Sequence, residues 1–250
     1  MSRLFRANMM RLKTSWVFLL GEVFMVGYAI FVYANAGMHV AQRGVVENWN
    51  IYFYNVLLLS GITMAIFVSI FLNREYGDGT IRNKLMVGHR RRDIYLVNFA
   101  TCLLAGMIMC TTYYLSAVFF GFLCVGKEIL QIQNIGAGMF YSILVFAVYT
   151  AFFVLVEMLD RNKARSVEIN LIGALVILVL GMICYGELMG QPDTAGFVWH
   201  IIGLLFPSTL VMYVAGAEQA PYISTVLALL TETACLVGFG VWKFEGKDIQ

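Results

Sequence analysis

The sequence predicts an all-α integral membrane protein, a single transmembrane domain over residues 1–250 with six transmembrane helices, and three observations carry that expectation. Hydrophobic residues make up 60% of the chain and charged residues only 13%, against about 25% charged in soluble domains. The apolar residues fall into runs of about 20, the helical length that crosses a bilayer. Fifteen of the 17 lysines and arginines lie on segments that six crossings place on one side, leaving Arg43 and Lys127 on the other. Loops rich in lysine and arginine stay in the cytoplasm, so both termini are expected there, in a multi-pass protein of the plasma membrane.

Residues 1–14 place Arg3, Arg6, Arg11 and Lys13 among Leu4, Phe5, Met9, Met10 and Leu12. Helical spacing gathers the apolar side chains on one side, predicting an amphipathic helix on the cytoplasmic leaflet. Span one is read at 15–35. Its Ala34-Asn35-Ala36 end resembles a cleavage site, but the apolar run exceeds the roughly 7–15 residues of a signal peptide. A loop from Gly37 to Asn50 leads to span two at 51–72, whose start carries Trp49, Tyr52 and Tyr54, rings suited to the headgroup layer. A polar, basic stretch at 73–93 follows, then span three at 94–125 and span four at 135–159. The tight polar turn Asp160 to Arg165 leads to span five at 166–185, and span six is read at 222–242. Between them, 198–214 is apolar but short, and Pro207 interrupts it. A crossing there would carry Lys243 and Lys247 outside, so short helices dipping into the outer leaflet are expected instead.

Within 73–93, Asp78 or Thr80 is placed to cap a helix running to about Val87, with Gly88 just past its end. Ile81 and Leu85 share one face, while Arg82, Asn83 and Lys84 lie on others. So short a helix needs docking to persist, either in a protein groove or on lipid headgroups. The alternative is an ordinary basic loop, with Arg90, Arg91 and Arg92 on anionic lipid.

Several chemistries are excluded. No GxxxxGK[ST] phosphate loop, HExxH helix or GxSxG elbow occurs, so an enzyme is not expected and no ATP hydrolysis by this chain alone. The five cysteines stand singly and read as small buried side chains. A net charge of +2 does not imply nucleic acid as a partner. Charge inside a membrane is costly and marks candidate sites, which singles out Glu22 in span one and Glu232 in span six. Each either lines a transport path or carries a proton, or else is hydrogen-bonded in a helix interface. Thr111 and Thr112 in span three are either substrate-facing or interhelical donors. Glu157, Glu168 and Asn170 are expected to pair with Arg161, Lys163 or Arg165.

Glu75, Gly79, Thr80, Ile81, Arg82, Asn83, Lys84, Leu85 and Gly88, followed by Arg91, Ile94 and Tyr95, resemble the E-x3-GTIRNKL-x2-G-x2-R-x2-IY signature that follows the second span in bacterial ABC-2 type transporter permeases. The resemblance extends to the order of elements along the whole chain and implies the type V exporter architecture. It implies that 73–93 is a cytoplasmic coupling loop, and that Glu75 and the residues from Gly79 to Gly88 named above dock on a separate ATPase subunit. It also implies two permeases with two ATPases, the second permease being a copy or a paralogue. ATP and magnesium would then sit on the partner ATPase, with no cofactor on this chain, and the substrate would be hydrophobic or amphipathic: a peptide, an antibiotic or a lipid-like molecule. Two other classes stay open: an ion-coupled secondary transporter or channel working through Glu22 or Glu232, and a non-transporting immunity or sensor component.

Overall fold

The computed structural model describes residues 2–43, 49–127, 132, 135–160, 162–190, 202–203, 205–215 and 223–246. It is helical, with no strand among the described residues. Among these residues the helices follow in order: α1 Ser2–Lys13, α2 Trp16–Arg43, α3 Trp49–Phe53, α4 Val56–Gly77, α5 Thr80–Met86, α6 Arg91–Cys124, α7 Ile135–Leu159, α8 Lys163–Gly190, α9 Pro207–Ala215 and α10 Ile223–Glu245. Among the described residues, six segments are long and apolar enough to cross a membrane: α2, α3 with α4, α6, α7, α8 and α10.

The centre of the bundle is α4, α6 and α7, whose facing sides bury Met64, Val68, Tyr114, Phe146 and Phe153. α2 packs on α6, α8 on α4, and α10 on α7 and α6. The outer three helices keep wide apolar faces uncovered, with Leu20, Val23 and Phe31 on α2 and Ile172, Leu175 and Val179 on α8. In water such faces would be a liability; in a bilayer they are the expected lipid-facing or subunit-facing surfaces.

Several elements depart from the sequence expectation. α2 continues to Arg43, where a loop from Gly37 was expected; nothing in Ala34-Asn35-Ala36-Gly37-Met38-His39 stops a helix, since proline is absent and one glycine costs only about 1 kcal/mol. α4 likewise runs to Gly77, five residues past the expected end of span two, and α6 starts at Arg91. α1 is helical as expected, but Leu4, Asn8 and Leu12, spaced four apart, are buried by packing on α6 rather than turned to lipid. α9 starts at Pro207, a residue pre-set for the first helical position. Its nine residues span about 13 Å, too short to cross, and it lies beside α3 at the end of the bundle opposite α1. The remaining residues of the expected outer-leaflet stretch, 191–201, 204 and 216–222, lie outside the described set.

Candidate functional site

The polar stretch between α4 and α6 folds into a helix held on two glycines. After α4, the amides of Asp78 and Gly79 bond back to the carbonyls of Arg74 (3.0 Å) and Tyr76 (3.1 Å). Gly79 then turns the chain with φ of 63°, a conformation costly for residues with a Cβ. Gly79 is itself the residue before the helix, with no side-chain cap, so neither Asp78 nor Thr80 plays the capping role expected of them. Thr80 instead donates its hydroxyl to the Glu75 carbonyl at 2.8 Å. The far end closes as a Schellman motif: Gly88 has φ of 93°, its amide bonds Leu85 O at 2.9 Å, and the His89 amide bonds Lys84 O at 3.1 Å. Gly88 therefore stops α5 as the sequence indicated.

α5 is anchored inward through Glu75. That carboxylate is fully buried and ion-paired with Arg11 of α1 at 2.6 Å and with Lys84 of α5. Asn98 of α6 donates to its second oxygen at 2.6 Å, and Asn98 in turn accepts from Asn8 of α1 at 2.7 Å. Lys84 also donates to Asn8 at 2.9 Å. One acidic side chain thus ties four helices together, and each polar group in the cluster has a partner, the condition under which buried charge is tolerated. Arg11 additionally lies over the Phe71 ring at 4.3 Å and donates to the Phe71 carbonyl. Beside Lys84, Ile81 is buried, completing the attachment of α5.

This geometry divides the residues expected to dock. Glu75 and Ile81 present no surface to a partner, and Lys84 spends its charge inward; their part is to position the helix. Arg82 and Asn83 are exposed. Next to them Met86 and Val87 are 70% and 78% exposed, two apolar side chains that sequence reasoning passed over because the signature treats their positions as variable. Asn8, Arg11 and Asn98 were also missed as site residues. A polar asparagine about one turn inside an apolar span was the one signal for Asn98.

A second buried polar cluster lies at the same end. Glu157 accepts from Ser166 at 2.9 Å and from Asn170 at 3.2 Å, while Asn170 also donates to Ser69 of α4 at 2.9 Å. Lys163 bonds the Glu157 backbone carbonyl at 2.6 Å, and its ammonium lies over the Tyr76 ring at 3.6 Å. Tyr76 donates to the Met158 carbonyl at 3.0 Å, joining this cluster to the helix that carries Glu75. Among the described residues the hydrogen bonds to the Glu157 carboxylate thus come from hydroxyl and amide donors, with the Lys163 charge close enough to act on it; Arg161 lies outside the described set. Arg165 pairs instead with Asp160, through bonds of 2.8 and 3.0 Å.

Of the candidate path residues, Glu22 and Thr112 are brought together, while Thr111 and Glu232 lie elsewhere. Thr112 meets Glu22 across the α2–α6 interface, with one Glu22 oxygen buried and unpartnered among the described residues. Thr111 bonds its own helix at Met107 O, 2.8 Å away, and lines a cleft between α6 and α7 that also holds the Tyr114–Ser142 hydrogen bond of 2.7 Å. Glu232 sits on α10, half-buried, with one oxygen unpartnered among the described residues.

The family model described as ABC-2 family transporter protein matches residues 5–177. The match runs from inside α1 into α8 and takes in both polar clusters, α5, Glu22 and both threonines; Glu232 lies beyond it. No curated protein gives a significant match to the chain.

Proposed function

The chain belongs to the ABC-2 family of transporter membrane proteins, and from that premise we propose that it is the permease subunit of an ATP-binding cassette exporter. ATP, with magnesium, is hydrolysed on a separate ATPase subunit, and the permease moves a hydrophobic or amphipathic substrate outward. α1, α5 and both termini face the cytoplasm, as the distribution of basic residues favours. A second permease copy or paralogue covers part of the apolar faces left open on α2 and α8.

The observation that carries the proposal is the construction of α5. It is a two-turn helix standing at the end of an apolar bundle, fixed from within by Lys84 to Glu75 and presenting Arg82, Asn83, Met86 and Val87 outward. Apolar side chains ringed by charge are what a protein cleft recognises. A push on α5 reaches α4 through Glu75, and α1 and α6 through Arg11 and Asn98, so one contact moves four helices together.

The test is co-purification from the native membrane. Wild-type chain is expected to bring down an ATPase, identified by mass spectrometry, and Met86→Asp with Arg82→Glu is expected to lose it while remaining monodisperse. Absence of any ATPase with the wild type, or its undiminished retention by the double variant, overturns the proposal.

A further inference from the structure

A cavity of about 360 Å³ opens sideways between α2 and α4, within the roughly 300–1,000 Å³ of small-molecule sites. Its walls are almost wholly hydrocarbon: Leu20 and Phe24 from α2, Ile62 and Ile66 from α4, and Met109 of α6. The lining includes a single hydroxyl, that of Thr63, which is committed to its own helix through Leu59 O at 3.0 Å and Ser60 O at 3.1 Å. Apart from the Trp16 indole N–H, the lining offers a polar ligand group no free side-chain partner, so its occupant there is an apolar chain.

The end nearest α1 differs. Trp16, 54% exposed, stands at the lip, a ring suited to the headgroup layer. Ile62, Ile66 and Ile70 follow one another every four residues along the lining, and the next step on that row is Arg74. Its side chain is exposed, with only a long 4.0 Å contact to the equally exposed Asp78. Lys13, also exposed, ends α1 three residues before Trp16. An oily slot with cations beyond one end matches a phospholipid with a negative headgroup: hydrocarbon in the slot, phosphate at the basic rim.

We propose that the α2–α4 groove is a binding site for one acyl chain of an anionic phospholipid of the surrounding bilayer, whose headgroup is held by Lys13 and Arg74. The site is distinct from the α5 surface and does not depend on the docking of an ATPase or on which side α1 faces. A lipid held there braces α2 against α4, the helix that carries Glu75.

Delipidated protein is titrated with phosphatidylglycerol and with phosphatidylcholine of the same chains, and bound lipid is counted by native mass spectrometry. Wild type is expected to hold one phosphatidylglycerol per chain at least tenfold more tightly than phosphatidylcholine. Ile66→Trp, which fills the groove from a position 43% exposed, is expected to lose it, and the milder Ile66→Phe to weaken it. Lys13→Glu with Arg74→Glu is expected to erase the preference for phosphatidylglycerol. Val179→Trp, on the open face of α8, is expected to bind as wild type does. Equal binding of both lipids by wild type, full retention by both Ile66 variants, or a disulfide between two copies of Ile66→Cys showing that a second chain fills the groove would each overturn the assignment.

Discussion

Asn98 donates to Glu75 at 2.6 Å inside the bundle, and the same carboxylate pairs with Arg11 at 2.6 Å. Glu75→Gln keeps the shape and removes the charge, leaving Arg11 and Lys84 facing a neutral amide. Loss of one partner from a buried ion pair costs about 3–5 kcal/mol. Because Arg11 and Lys84 side chains retain 25% and 14% exposure, water recovers part of that, and a loss of about 3 kcal/mol is expected. Thermal unfolding in detergent measures it, and a variant as stable as wild type would show the cluster to be incidental.

The spans were legible because bilayer crossing needs little more than length and apolarity, and α5 was legible because Gly88 marks its stop. The Glu75 cluster was not. Its members lie 9, 23 and 64 residues from Glu75 along the chain, and no local pattern announces that convergence. Glu75 looked like part of a polar loop because Asn73, Arg74 and Glu75 follow an apolar run, yet α4 simply continues and turns Glu75 inward. Hydropathy sees the average of a turn; burial depends on which side of the helix faces α1 and α6. The same blindness hid Met86 and Val87, whose exposure follows from Ile81 and Lys84 fixing the rotation of α5.

Met86 and Val87 should separate association from folding. Each is exposed and belongs to no described core, so Met86→Asp and Val87→Asp should change stability by less than about 0.5 kcal/mol. If they form an apolar anchor for the ATPase, each should weaken the complex by about 2 kcal/mol, roughly 30-fold. Titration of the purified ATPase against each variant reads this directly, and unchanged affinity in both removes the apolar anchor.

Gly88 tests how firmly α5 must be stopped. No atom lies within 4 Å of a Cβ built there, so Gly88→Ala meets no clash and its cost is the left-handed backbone alone, roughly 1–2 kcal/mol. That cost should appear locally, as faster amide hydrogen exchange in α5 with the unfolding temperature nearly unchanged. Gly88→Asn, which tolerates the same backbone better, should fall between alanine and glycine. Equal exchange in all three proteins would mean that Lys84 and Ile81 hold the helix without its stop.

Glu232 leaves one buried oxygen without a partner among the described residues, in a helix long and apolar enough to cross a membrane. Glu232→Leu should therefore be neutral or stabilising, since insertion scales charge at least about 2.5 kcal/mol for an acidic residue at mid-membrane. If the carboxylate is used in transport, the same variant should lower substrate efflux from energised vesicles while raising the unfolding temperature. A fall in stability would instead assign Glu232 a structural partner.

Gly240 of α10 packs closely on Tyr95 of α6 at the end of the bundle that carries α1 and α5. A Cβ at Gly240 would collide with the Tyr95 hydroxyl, and Tyr95 is fully buried with that hydroxyl unpartnered among the described residues. Gly240→Ala should consequently overpack the junction by about 1–3 kcal/mol. Tyr95→Phe alone should be close to neutral, because it removes an oxygen that makes no bond. Combined, the two should cost less than Gly240→Ala alone but more than wild type, as the phenylalanine lacks the nearest of the three atoms the new methyl meets while its two ring carbons still crowd it, giving a favourable coupling of at least about 0.5 kcal/mol in the double-mutant cycle. Strict additivity would mean that α10 shifts away from α6 to admit the methyl, and that the junction is softer than its close approach implies.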